Sequence, residues 1–458
     1  MNMKRILWLT CFLSGLSVYA QNNDSLIIRR LYTEVLTRGQ CYPALEHLCK
    51  KIGGRLSGSP QAQQAVTYTA QQMYNYGFDT VYLQGVLVPH WVRGEKEAAH
   101  FSIGKKQNRV RICALGNSMA TPAGGIKAPV IEVHHLSDIP KLGREKIQGK
   151  IVFYNRPLNP TYIHTGRAYG EAGDQRGNGA IVAAAYGAVG VVVRSLTLAL
   201  DTFPHTGMMR YNDTVPFIPA CAISTVDANL LSDALNSKDS ASVEFYFRQT
   251  CSMLPDEISY NVIGEIRGTS KRDEIIVVGG HLDSWDNGEG AHDDGAGVVQ
   301  SMEALRLFKA LGIRPKRTMR CVLFMNEENG VRGGNHFADE VQRSHEKVIA
   351  AIESDAGGYT PRGMTVEDTA TLQLFQKWIP LLSPYGIESF RKGWGGTDIG
   401  PLKKTGTLLI GYSPDSQRYF DIHHTAADTF DKINRRELEL GAGAMASMLW
   451  LLSEYGVK

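Results

Sequence analysis

Four short apolar runs in this chain each end in a cluster of acids or histidines, and that recurrence limits the fold more than any other feature. Ile275-Ile276-Val277-Val278 has the unbroken apolar character of a strand buried on both faces of a parallel sheet. The chain leaves it through Gly279-Gly280 and at once presents His281, Asp283, His292, Asp293 and Asp294. Residues 298–311 then carry helical apolar spacing. Residues 318–325 (TMRCVLFM) run into Asn326-Glu327-Glu328-Asn329-Gly330, and residues 348–352 end in Glu353-Ser354-Asp355. Residues 408–412 precede a loop that holds His423, His424 and Asp428.

Groups placed where a strand gives way to a helix sit at the carboxyl edge of an α/β sheet, where such folds carry their chemistry. One Asp or His in such a place is ordinarily a turn former or a helix cap. Four successive strand ends that all deliver acids or histidines exceed what capping needs. Carboxylates combined with imidazoles suit zinc, and more ligands than one tetrahedral ion takes suggest two ions sharing a carboxylate. Two such ions would lower the pKa of a shared water. Glu327 and Glu328 are adjacent, so on an extended segment they point to opposite sides and can divide into base and ligand.

The segments HLDSWDNGEGAHDDGAG, NEENG, ESDAGG and HHTAADTFDKI resemble motifs of the di-zinc exopeptidases, the family of bacterial leucine aminopeptidases and plasma glutamate carboxypeptidases (carboxypeptidase Q). The similarity is greatest to the second group, through residues 419–433 (YFDIHHTAADTFDKI) and Pro204-His205-Thr206-Gly207, and it spans nearly all of the mature chain. It implies His281 and Asp355 on one zinc, Glu328 and His424 on the other, and Asp293 bridging two Zn2+ per chain. It further implies Glu327 as general base and acid, and Asp283 as the group orienting the His281 imidazole, a support that metal-bound histidines usually need. A cis peptide bond at Asp293-Asp294 is part of the same pattern. Spacing alone leaves His423 and His424 equivalent; the family pattern selects His424, with His423 donating to substrate or packing. The resemblance favours short peptides as substrate, dipeptides with free termini, and a homodimer.

Other segments set the context. Residues 1–20 carry Lys4 and Arg5, an apolar core and a small-residue cleavage site, a secretory signal too short to span a membrane. A soluble exported protein, periplasmic or secreted, is expected to begin near Gln21. A chain of 458 residues exceeds one ordinary core. The expected organisation is an N-terminal part of the peptidase unit at 21–116, an inserted unit at 117–250, and the metal-binding core at 251–458. Short strands around the small-residue segment 177–190 (GNGAIVAAAYGAVG) give the insert the look of a protease-associated domain, α+β in type. The peptidase unit is expected to be α/β, a mixed and largely parallel sheet between helices. Net charge is +3, with basic residues scattered and no aromatic-interleaved patch, so nucleic acid is an unsuitable partner. Six cysteines follow the signal; Cys41 and Cys49, eight residues apart, would lie about 12 Å apart along a continuous helix, and their pairing stays open.

Three residues have weaker grounds for touching substrate. His205 lies in a loop able to reach the site, and Asp398 lies in a glycine-rich loop, 391–401, that could receive an α-amino group. His423 adjoins a ligand. Two other functions use the same scaffold: a glutaminyl-cyclase-like mono-zinc transferase, and a catalytically inactive receptor-type binding protein. Both would have shed ligands, and this chain retains the full set together with Glu327.

Overall fold

The computed structural model describes residues 23–237 and 243–457, so the expected signal peptide lies outside the described residues. Eight strands form the central sheet: β1 (Thr80–Val92), β2 (Ser252–Ile266), β3 (Lys271–His281), β4 (Arg317–Phe324), β5 (Lys347–Glu353), β6 (Pro361–Val366), β7 (Ser389–Lys392) and β8 (Leu408–Pro414). Their order is β1-β2-β4-β3-β5-β8-β6-β7. The middle of the sheet, β4-β3-β5-β8, is parallel throughout, and antiparallel pairs flank it at β1-β2, β2-β4 and β8-β6. This is the expected mixed α/β sheet between helices.

The apolar runs separate into two cores because successive side chains of a strand point to opposite faces. Ile276, Val278, Cys321, Leu323, Ala350 and Ile352 pack on one face. Ile275, Val277, Val322, Phe324 and Ala351 pack on the other. Helices 23–38, Pro60–Asn75, Ala296–Ala310 and Arg435–Tyr455 cover the first face, and Arg332–Ser344 covers the second. Two of these helices start on side-chain caps: Ser59 accepts from the Ala62 N–H ahead of Pro60, and Asn434 accepts from Arg436 and Glu437. The helix Ala296–Ala310 is buried over 296–308, as a helix between a sheet and another helix must be.

A second eight-stranded sheet leaves the first after β1 and returns to it at β2. Its order is Lys106–Val110, Ala98–Ile103, Val243–Arg248, Ile126–Val133, Ile151–Tyr154, Gly190–Arg194, Ala220–Ile223, Ile112–Ala114. It has its own cores on either side. The sheet begins at Ala98, so three strands from the segment expected in the peptidase unit pair here instead. The small-residue segment 177–190 is not one continuous element: it divides at Asn178 between Asp174–Gly177 and Gly179–Ala185, and the chain then enters a strand at Gly190. All six cysteines among the described residues are buried and free, Cys41 and Cys49 included. Among the described residues no helix is long and apolar enough to cross a membrane.

Candidate metal centre

The carboxyl ends of β3, β4, β5 and β8 converge, and the groups they deliver meet around one carboxylate. Asp293, in the loop after β3, turns its Oδ1 to within 3.3 Å of His281 Nε2 and its Oδ2 to within 3.2 Å of His424 Nε2. His281 Nε2 also lies 3.5 Å from Asp355 Oδ1, and His424 Nε2 lies 3.1 Å from Glu328 Oε2. Asp293 thus stands between two histidine–carboxylate pairs, one oxygen toward each. His423 reaches Asp293 Oδ2 at 3.4 Å and stacks on the His424 ring with centroids 3.5 Å apart. Of the two adjacent histidines, His424 has contacts to both Asp293 and Glu328.

Both imidazoles have their other nitrogen committed. His281 Nδ1 meets the backbone carbonyl of Asp283 at 2.9 Å, and His424 Nδ1 meets that of Thr206 at 3.3 Å. In the neutral ring with Nδ1–H donating to the carbonyl, each Nε2 would direct a lone pair into the cluster, the arrangement of metal-binding histidines. Buried carboxylates interleaved with such imidazoles form a donor set for a divalent cation. The Asp283 side chain does something other than the expected orientation of His281. Its carboxylate accepts from the backbone N–H of Asn326 at 2.7 Å and of Glu327 at 3.1 Å, so the imidazole is steered by the main chain of Asp283 and the Glu327 backbone by its side chain.

Other buried carboxylates lock neighbouring loops in the same manner. Asp294 accepts from the His281 and Gly297 N–H groups, and Asp428 from those of His292 and Asp293. The Asp293–Asp294 peptide bond is cis. A Cβ at Gly280 would fall 2.2 Å from Asp294 Oδ2, so only glycine lets that carboxylate approach the strand end. Arg55, fully buried, donates to the carbonyls of Leu282, Glu289 and Gly290 and ties the loop before the helix Pro60–Asn75 to the same segment. Ser57 beside it donates to Asn329 and belongs to this scaffolding.

The electrostatics follow from packing so many acids out of water. Burial, opposed by His281 and reinforced by Asp355 and Glu328, pushes the Glu327 carboxyl up to about 8. Burial and then Asp293 push Glu328 up to about 7. Burial would push His281 down, but Asp293 and Asp355 carry it well above its ordinary value.

A cavity of about 720 Å³ opens between the two sheet-bearing units onto this cluster. Asp293, Glu327, Glu328, Asp355 and His424 reach it, and His423, Tyr419, Tyr169, Arg176 and Trp394 contribute to its walls. Asp398 does not line it. That side chain is fully buried, and burial with Glu353 and Glu327 nearby holds its carboxyl well above the usual carboxylate range. It therefore has no exposed surface for a substrate amine. Thr397, beside it, does reach the cavity, and Glu353 fixes that loop by accepting from the N–H groups of Thr397 and Ile399. His205 is likewise buried outside the cavity lining, with burial and then His424 pushing it down to about 3. Its loop acts through the next residue: Thr206 N–H donates to the His424 carbonyl at 3.0 Å, while the Thr206 carbonyl meets the His424 ring. Sequence reasoning assigned no role to Thr206, Asp428, Glu353 or Arg176, whose contacts join segments distant in the chain.

Residues 261–448 match peptidase family M28. Carboxypeptidase Q of Xenopus laevis is 36% identical over 393 residues, which cover 86% of this chain and 81% of the relative. Human carboxypeptidase Q is 32% identical over 418 residues, 91% of this chain and 86% of the relative. A crystal structure of a peptidase M28 precursor from Shewanella amazonensis SB2B is 34% identical, superimposes with a TM-score of 0.90, and covers 94% of this chain and 97% of its own. A zinc aminopeptidase from Bacillus subtilis shares the fold at 19% identity and a TM-score of 0.63, over 89% of this chain and 93% of its own. The chain belongs to peptidase family M28.

Proposed function

We propose that this protein is an exported di-zinc exopeptidase that hydrolyses short peptides, above all dipeptides with free termini. The position of Asp293, one carboxylate oxygen toward His281 and Asp355 and the other toward His424 and Glu328, carries this reading. His281, Asp355, Asp293, Glu328 and His424 would hold two zinc ions, since buried carboxylates and imidazoles are the donor types that zinc takes. Zinc bound there supplies Lewis acidity, which lowers the pKa of the attacking water and polarises the scissile carbonyl.

The remaining steps belong to the chain. Glu327 faces the cavity and takes the proton of the attacking water on its carboxylate, then returns it to the nitrogen of the leaving amine. Asp283 holds the backbone of that base, so the carboxylate meets its proton partner at a fixed place. The Tyr419 hydroxyl donates to Asp355 Oδ1 at 3.4 Å and orients that ligand. The surrounding walls narrow the site to a cavity suited to a short peptide rather than a folded chain.

The unit built on the second sheet is proposed to be the inserted protease-associated domain, and the mature chain to begin near Gln21 and to form a homodimer. Two measurements test the enzyme assignment: zinc bound per chain, and amino-acid release from a dipeptide panel with wild type and Glu327→Gln. Two zinc with chelator-sensitive cleavage that Glu327→Gln abolishes is the expected result. One zinc without cleavage would favour the mono-zinc transferase, and no zinc after reconstitution a binding protein.

A further inference from the structure

We propose that Trp285 and Asn287 are positioning residues for the second pair of ligands, Glu328 and His424, so that the loop after β3 sets the zinc affinity of both halves of the centre. This rests on the di-zinc reading and deepens it by naming groups, outside the five ligands, on which one of the two ions depends.

His424 needs such support. Its φ of 63° lies in the left-handed region, which residues other than glycine rarely adopt and which persists only where neighbours enforce it. Its carbonyl accepts two bonds, from the Thr206 N–H at 3.0 Å and from Asn287 Nδ2 at 3.1 Å. The first comes from the second unit. The second comes from the same loop whose Asp283 carbonyl steers His281. Two residues before Asn287, the Trp285 N–H donates to Glu328 Oε1 at 3.2 Å, while Oε2 of that carboxylate meets His424 Nε2. The buried indole stands 5.8 Å from the His424 ring, with the two planes inclined at 64°. Trp285 and Asn287 thus reach both members of the pair, and they line a cavity of about 10 Å³ that Asp293, Glu328 and His424 also line.

The segment is fixed from its far side. Arg93, in the chain leaving β1, donates through Nε to both carboxylate oxygens of Asp286 at 3.0 Å, and through Nη1 to the Ala114 carbonyl at 2.8 Å. A charge-assisted pair of this kind fixes orientation as well as position. A Cβ at Gly116 would fall 1.8 Å from Trp285 Cη2, so only glycine lets the indole lie against the backbone there. The Gly116 N–H in turn donates to the carbonyl of Gly207, the residue after Thr206. With Asp286 anchored, the residues on either side of it are held against Glu328 and His424. Outer partners that orient a metal ligand are worth about 10–100-fold in affinity.

The test is a chelator titration of zinc-loaded full-length protein, read as zinc released per chain, for wild type, Asn287→Ala, Trp285→Leu and Trp285→Phe. Asn287→Ala should weaken one zinc by about 10–100-fold and leave the other unchanged. Its melting temperature without zinc should match that of wild type, whereas a merely structural role would lower that temperature and spare both ions. Trp285→Leu should weaken the same ion, and Trp285→Phe, which restores an aromatic ring, should recover part of the loss. In a His424→Ala background, Asn287→Ala should change zinc binding no further, because the ligand it serves is gone. Wild-type release of both ions from Asn287→Ala and Trp285→Leu, equal weakening of both ions, or a further loss in the His424→Ala background would overturn the inference and leave the di-zinc reading standing. Fewer than two zinc in the wild type would overturn that reading, and the inference with it.

Discussion

The two halves of the candidate metal centre are built by different means. His281 is steered by the carbonyl of Asp283, two residues along its own loop; its partner Asp293 comes from that same loop and Asp355 from the end of the neighbouring parallel strand β5. His424 is steered by the carbonyl of Thr206, 218 residues away on the second unit, with Thr206 N–H returning a bond to the His424 backbone. One half is a property of the central sheet. The other is complete only with the second unit in place, so that unit shapes the cavity and also fixes the His424 ring.

Asp293→Ala breaks both halves and has the largest expected effect. It removes the carboxylate shared by both pairs, so zinc affinity should fall at both positions by more than the roughly 100-fold that marks the upper range for outer partners. Metal content after dialysis against a mild chelator should drop to none in the variant, with turnover lost. Gly207→Ala separates the halves. Its methyl would displace Arg176 and the His424 ring, weakening one zinc by about 10–100-fold while sparing the other. A chelator titration that is biphasic in the variant bears this out; equal weakening of both ions contradicts it.

Asp283→Asn acts on the sheet-built half. The backbone carbonyl that holds His281 is kept, so zinc content should be unchanged. The backbone N–H groups of Asn326 and Glu327 lose part of their acceptor, which costs about 1–3 kcal/mol of stability and loosens the base. Reduced kcat with a lowered melting temperature at full metal occupancy is the expected pattern.

The smallest effect lies at the opposite edge of the sheet. There Glu274 accepts from Lys347 at 2.8 Å and Arg317 at 2.6 Å, and the Lys347 bond, with that of Arg317, holds it down to about 2 despite partial burial. The folded value lies below the unfolded one of about 4.3, so the contribution is present above pH 4.3 and disappears as pH falls toward 2. For this partly exposed ion pair it amounts to about 1 kcal/mol or less. Urea midpoints of wild type and Glu274→Gln should therefore differ near pH 6 and converge on acidification.

Much of this architecture was legible in residue order because a buried parallel strand is a continuous apolar run, and a run followed by an acid or histidine fixes an edge. β3, β4, β5 and β8 and their side chains followed from that. β6 and the edge strand β7, PRGMTV and SFRK, carry too few apolar residues to announce themselves, and the first half of β2 is exposed. Val243–Arg248 (VEFYFR) does alternate strictly between buried and half-buried positions, a signal that could have been used. Asp398 misled because an acid in a glycine-rich loop looks the same whether it faces a cavity or the interior. Thr206 was invisible for a different reason: it acts across the junction of two units through its backbone carbonyl, which leaves no pattern in local spacing.

The most direct test is a zinc titration of metal-free protein, following bound zinc and Ala-Leu hydrolysis together. A centre bridged by Asp293 predicts two zinc per chain, with full turnover reached only as the second is bound. Full activity at one zinc per chain, or two bound zinc without hydrolysis of any dipeptide, would contradict it.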